Sequence, residues 1–206
     1  MNAAIITLIV LVVVVLLLAI TVVGMYNRLI TLRNRYKNAF SQIDVQLKRR
    51  YDLIPNLVEV AKGYIKHERE TLEAVIKARN AAYAAGQQAA RNPGEREAMT
   101  ALGGAEGQLV GALGRLFAVA EAYPELRATE NFQKLQDELS GAEGRIAYFR
   151  QFYNDTVLMY HNLIQSFPSR IIAGMCNFRM REYFEIEEAA RGPVKVDFSL
   201  PDKPQT

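Results

Sequence analysis

Residues 26–66, YNRLITLRNRYKNAFSQIDVQLKRRYDLIPNLVEVAKGYIK, decide the fold. Within them Leu29, Leu32, Tyr36, Ala39, Ile43, Leu47, the pair Arg50/Tyr51, Ile54, Leu57, Ala61 and Ile65 recur at alternating spacings of three and four. That rhythm draws one stripe along a helix face, because a turn of α-helix takes 3.6 residues. A helix over the whole stretch would be roughly 60 Å long. Pro55 falls inside it, where proline forfeits a hydrogen bond and presses its ring on the preceding turn. Two arrangements satisfy the sequence. Either one helix runs to about Lys66 with a kink at Pro55, or Asp52 caps a new helix after a tight turn. The unbroken stripe favours the first.

Upstream the character changes. Met1 to Gly24 carry no charged side chain, and Ala3 to Val23 are Ile, Val, Leu, Ala and two Thr. A helix satisfies its own backbone polar groups, so an apolar run of about 20 residues suits a bilayer span. A cleaved secretory signal would need a basic start and a small-x-small cleavage site, and neither is present. A core helix would need a polar face. Residues 1–25 therefore read as a transmembrane anchor that continues into the first helix. No Lys or Arg precedes the span, whereas Arg28, Arg33, Arg35 and Lys37 follow it, with no acid before Asp44. The positive-inside rule then expects the N-terminus outside and the helical body in the cytoplasm. The same basic excess suits attraction of anionic lipid headgroups, or it is a solvated face that only sets topology. Cys176 is the sole cysteine, so no intramolecular disulfide staples the chain.

Downstream, helical periodicity continues. A second helix is expected over about 68–90, with Leu72, Val75, Ile76 and Tyr83 inward and acids at its start favouring the helix dipole. Asn92-Pro93-Gly94 breaks it. A third, over about 95–123, carries the stripe Leu102, Glu106, Leu109, Leu113, Leu116, Ala120 and Tyr123. Gly103, Gly104, Gly107, Gly111 and Gly114 lie within it and read as sites of close helix contact rather than breaks. A fourth, over about 129–165, carries Phe132, Leu135, Leu139, Ala142, Ile146, Phe149, Tyr153, Thr156, Tyr160 and Leu163. Long helices with short connections make antiparallel neighbours. The expected fold is all-α: the transmembrane helix, then an up-and-down four-helix bundle over residues 26–185. A short segment at 169–184 ends it, and residues 186–206 form a loosely ordered, proline-bearing tail. Within that tail residues 194–198 alternate like a short strand.

Residues 26–79, beginning YNRLITLRNRYKNAF, and 121–174, beginning EAYPELRATENFQKL, resemble the bacterial LemA family. The resemblance covers about Tyr26 to Glu185. It implies an N-terminal anchor in the bacterial cytoplasmic (inner) membrane followed by an up-and-down helical bundle. It implies no particular activity.

Two groups of residues are candidates for function. Asn34, Asn38, Gln42, Asp44, Gln46, Arg49, Arg50, Asn56 and Glu59 are dense for one helix. They read either as a face for a partner or a second copy, or as a polar network inside the bundle around Pro55, where freed carbonyls need donors. The second group follows from topology. Four alternating helices return the chain after Gln165 to the membrane. There Phe167, Ile171, Ile172, Met175 and Phe178 stand beside Arg170, Arg179 and Arg181, and across from Arg28, Arg33, Arg35 and Lys37. Apolar side chains for the acyl boundary with arginines for phosphates suit an interfacial segment or a subunit contact. The alternative is a short helix that caps the core.

Catalytic signatures are missing from the sequence. A di-metal bundle needs Glu-x-x-His, but Tyr64 and Leu158 stand three residues before His67 and His161. Thr71 stands where a second His would complete H-E-x-x-H after His67. Cys176 has no histidine near it in sequence, and Gly103-Gly104 lacks the Lys-Ser/Thr of a phosphate loop. Basic residues beyond Lys66 are balanced by acids and form no stripe for nucleic acid. The reading is a non-enzymatic, cofactor-free membrane scaffold. Its partners are membrane lipid, further copies of itself and other envelope proteins, with no nucleic acid. The alternative is a regulatory module that transmits a membrane state to the cytoplasm.

Overall fold

The structure, a computed structural model, describes residues 3–65 and 67–186. The proposed tail after Ile186, with its strand-like stretch, lies outside them. The described residues form six helices and no strand: α1 (Ala3–Lys62), α2 (Arg69–Arg91), α3 (Arg96–Glu121), α4 (Pro124–Arg127), α5 (Glu130–Gln165) and α6 (Ser169–Met175). After α6 the chain runs without regular structure to Ile186, and residues 178–186 act as a strap.

α1 is one helix of 60 residues that joins the apolar run to the striped segment. At 1.5 Å per residue it is roughly 90 Å long. Its first part buries nothing: from Ile5 to Val23 the large apolar side chains are all exposed. A helix that is apolar all round and packs on no protein neighbour has the character of a bilayer span rather than a core helix. From Leu29 onward the stripe turns inward, and Leu29, Tyr36, Ile43, Leu47, Tyr51, Ile54 and Ala61 are buried.

Pro55 stays inside α1, and Asp52 starts no new helix. The missing proline N–H leaves the Tyr51 carbonyl without its helical donor. Arg79 of α2 supplies one, its Nε donating to that oxygen at 3.0 Å. An unpaired buried carbonyl costs about as much as a lost hydrogen bond, so this donor is what makes the proline tolerable.

α5 packs along α1 in the opposite sense. Tyr36 meets Tyr160 at 5.4 Å, Phe40 meets Tyr153 at 5.8 Å, and further on Arg49 approaches Glu138 at 3.8 Å. The α2–α3 hairpin covers the part of α1 farther from the span, where Tyr51 packs edge-on to Tyr83 at 5.8 Å. α3 reaches α5 through Phe117 and Phe132, 6.4 Å apart. Nearer the span the strap fills the space between α3 and α5. Phe184 is wholly buried there, and Asn154 holds its backbone from both sides, accepting from Phe184 N at 2.8 Å and donating to its O at 3.2 Å. Tyr153 Oη donates to Glu182 O at 2.8 Å, and Glu182 N donates to Gly94 O at 2.9 Å.

The strap explains two glycines. Gly94 has φ +82°, a backbone that L side chains rarely adopt, and Arg181 lies against it. A Cβ at Gly103 would overlap the Glu185 carbonyl oxygen. By contrast Gly104, Gly111 and Gly114 face open space, so for these three the expected close helix contact is absent. α3 stays helical through them because its opposite face is packed by Leu102, Leu109, Leu113 and Leu116.

Candidate functional site

Two regions gather the polar and exposed apolar residues that the core leaves over. The first surrounds the point where α1 leaves its apolar run. The end of α5 and all of α6 lie there. Phe178 packs edge-on to Tyr26 at 5.9 Å, and the Arg33 guanidinium sits over its ring at 5.6 Å. Ile172 and Ala173 point inward and cap the core, whereas Phe167 is 84 % exposed and Met175 82 %, with Ile171 also exposed. Arg28, Arg35, Lys37, Arg170 and Arg179 are exposed too. The result is an apolar rim beside exposed cations, Arg28 nearest the span and Arg35 and Lys37 farther along α1, a composition that suits an interfacial contact.

A groove of about 880 Å³ opens between α1 and the end of α5 at this level. Thr21, Gly24, Arg28 and Arg35 of α1 form one wall, and Met159, Asn162, Leu163 and Phe167 the other.

Arg181 belongs elsewhere. Grouped in the sequence with the surface arginines, it turns inward with the strap. Its backbone N–H donates to His161 Nε2 at 3.0 Å, and its guanidinium charge acts on Tyr36 and Tyr160. Burial raises both phenols above their ordinary value, with Arg181 and Arg33 acting against it. The strap needs a residue whose backbone reaches His161, and the arginine side chain follows it.

The second region is the body of α1. Asn34, Asn38, Gln42, Arg49, Asn56 and Glu59 are exposed, and Asp44 and Gln46 are half-buried. Arg50 is the exception. It is buried and forms an ion pair with Glu106 of α3, to which Tyr51 Oη also donates. Tyr51 Oη further contacts Ala82 O at 3.2 Å, tying three helices at one level. Burial lowers Arg50 from its ordinary value, opposed by Tyr51 and Glu143, but a guanidinium stays protonated. Burial likewise raises the Tyr51 phenol. Of the nine residues, six are exposed and Arg50 joins an internal network, whereas the donor at Pro55 is Arg79, outside the group.

The exposed face of α1 continues onto α5. Arg49 and Glu138 meet across the two helices, and Phe152 lies two heptads beyond Glu138 on the same side of α5. There Tyr148 is 66 % exposed, with Phe152 and, on α1, Val45 also exposed. Periodicity did not single out these aromatics, because they lie off the buried stripe. The available signal was their size on a solvent-facing position.

Among the described residues no three His, Cys, Asp or Glu side chains lie close enough to hold a metal ion. His161 is occupied by the strap, His67 is exposed in the α1–α2 turn, and Cys176 is an exposed free thiol.

One helix able to span a bilayer, continuous with an antiparallel helical body, defines a membrane-associated all-α protein. The LemA family model matches residues 39–198, well over half of the sequence, and the chain belongs to the LemA family. It is similar to Magnetosome protein MamQ 2 of Paramagnetospirillum magneticum, at 26 % identity covering 84 % of this chain and 70 % of that protein. It is likewise similar to Magnetosome protein MamQ of Magnetospirillum gryphiswaldense, at 28 % identity with the same coverage.

Proposed function

We propose that this LemA protein is a non-enzymatic scaffold of the bacterial cytoplasmic membrane, with its N-terminus outside, its helical body in the cytoplasm, and copies of itself as partners. The carrying observation is that the 60-residue helix with the span also exposes Val45 and packs along α5, which exposes Tyr148 and Phe152. Every copy then presents the same face at the same height above the membrane. Anchoring confines copies to a plane and raises their effective concentration, so modest side-by-side contacts suffice for assembly. Arg28, Arg33, Arg35 and Lys37 after the span support the orientation. The apolar rim of Phe167, Ile171 and Met175 is a second contact with lipid that keeps the body upright. The MamQ relatives are named for the magnetosome, which suits a role in organising a membrane and its envelope proteins.

The test is the mass of the complex after gentle extraction, with cross-linking in membranes beforehand. Oligomers that Tyr148→Ser/Phe152→Ser dissociates support the scaffold, and a monomer in both measurements sinks it. A second reading, signal transmission, is favoured by the unbroken path of α1 from the span to the Arg50–Glu106 pair. It requires a second conformation of the body, visible as altered protease sensitivity when the membrane is perturbed.

A further inference from the structure

We propose that the groove at the base of the span is a binding site for one anionic phospholipid. This rests on the reading that the chain beyond Gly24 stands on the membrane surface.

Position carries the argument first. The apolar run ends at Val23, and Arg28 lies five residues on, about 7–8 Å farther along the helix. The headgroup layer on each side of the hydrocarbon is itself about 5–8 Å deep. Arg28 therefore stands at phosphate height. Thr21 and Gly24, which line the same wall, stand at the acyl boundary.

Chemistry matches that height. The groove sets Arg28, Arg35 and Asn162 beside the apolar side chains of Met159, Leu163 and Phe167. Among the described residues neither arginine is paired with a carboxylate, whereas Arg49, Arg69, Arg79 and Arg96 each are. Arg28 and Arg35 are one heptad apart and share a face of α1. The flexible stem of Arg35 lets its head reach toward the same phosphate. A guanidinium recognises phosphate through parallel N–H donors, and two without acidic neighbours favour a net-negative ligand over a zwitterion. The apolar part of the lining, Met159, Leu163 and Phe167, favours a lipid over a free phosphate ester, because only a lipid brings an apolar chain to the groove.

The experiment is native mass spectrometry of the full-length protein released from bilayers that mix phosphatidylglycerol with phosphatidylcholine. Protein mass reports assembly, and lipid adducts report the groove independently, so either reading can fail alone. The expected result is at least one phosphatidylglycerol retained per chain. Arg28→Gln should weaken retention about tenfold and Arg35→Gln less, with the double variant losing it. Arg33 and Lys37 remain to fix topology, a protease-accessibility assay checks it, and circular dichroism checks the fold. Arg28→Lys should restore part of the binding, since an ammonium still attracts phosphate as a point charge. Equal retention of the two lipids, or indifference to both substitutions, overturns the proposal. Competition by glycerol phosphate as strong as by the lipid also overturns it, in favour of a soluble anion.

Discussion

Arg50 and Glu106 pair across α1 and α3 with 2 % and 0 % of their surfaces exposed. Both stand on stripes that are otherwise apolar, so each helix commits a charge to the core on the condition that the other is in register. Desolvation takes back much of what a buried ion pair gains, whereas stranding one partner is costly. Arg50→Met alone and Glu106→Leu alone should each destabilise the body by about 3–5 kcal/mol, while the double substitution is near neutral or stabilising. Thermal denaturation of the four proteins in one detergent closes the cycle. Additive losses would show that the two residues do not depend on each other.

Pro55 and Arg79 make a second coupled pair. The proline removes the helical donor to Tyr51 O, and Arg79 Nε replaces it at 3.0 Å. Arg79→Met should cost about 1–3 kcal/mol, the usual penalty of a stranded buried acceptor. In a Pro55→Ala background the new alanine N–H can bond the carbonyl, and the cost of losing Arg79 should fall toward that of its surface ion pair with Asp52. Equal costs in both backgrounds would mean that Arg79 acts by something other than capping that oxygen.

The glycines of α3 separate two physical roles. Gly103→Ala must displace the Glu185 backbone, and overpacking of this kind costs about 1–3 kcal/mol. Gly104→Ala, one residue along and facing open space, should instead stabilise the helix by up to about 1 kcal/mol. Melting temperatures of the two variants should therefore move in opposite directions. A Gly104→Ala variant that keeps its stability but loses oligomers would assign that open face to a neighbouring copy.

What the sequence disclosed follows from what has a period. The stripe from Leu29 to Ile65 gave a continuous first helix through Pro55, because a buried face repeats every three or four residues. Arg50 and Glu106 were visible as charges on those stripes, but periodicity cannot say which charge meets which. The strap left no trace. It is held by Asn154, Tyr153 and His161 through bonds to its backbone, and backbone groups are the same in every sequence. Arg181 was misplaced for that reason: an arginine among apolar residues looks interfacial until its main chain is seen to be tethered inside.

His161 makes that tether sensitive to pH. It is 7 % exposed, and burial lowers the imidazole from its ordinary value of 6.5. Its Nε2 accepts the Arg181 N–H at 3.0 Å, a bond that only the neutral ring can make, so the proton sits on Nδ1, which faces Tyr183 Oη at 3.2 Å. Tyr160 of α5 also lies beside the ring, and Glu182 of the strap is the nearby acid that partly favours the charged form. A pKa lower in the folded state means that the unfolded chain binds the proton first on acidification. The stabilisation is therefore complete above pH 6.5 and is lost as pH falls through the lower folded value. Limited proteolysis should cut the strap faster on the acid side of that window, well before the helical body melts. His161→Gln keeps a side-chain acceptor for the Arg181 N–H without a titrating group, and it should flatten the dependence while leaving the strap docked. An unchanged acid dependence in that variant would show that His161 is not the switch.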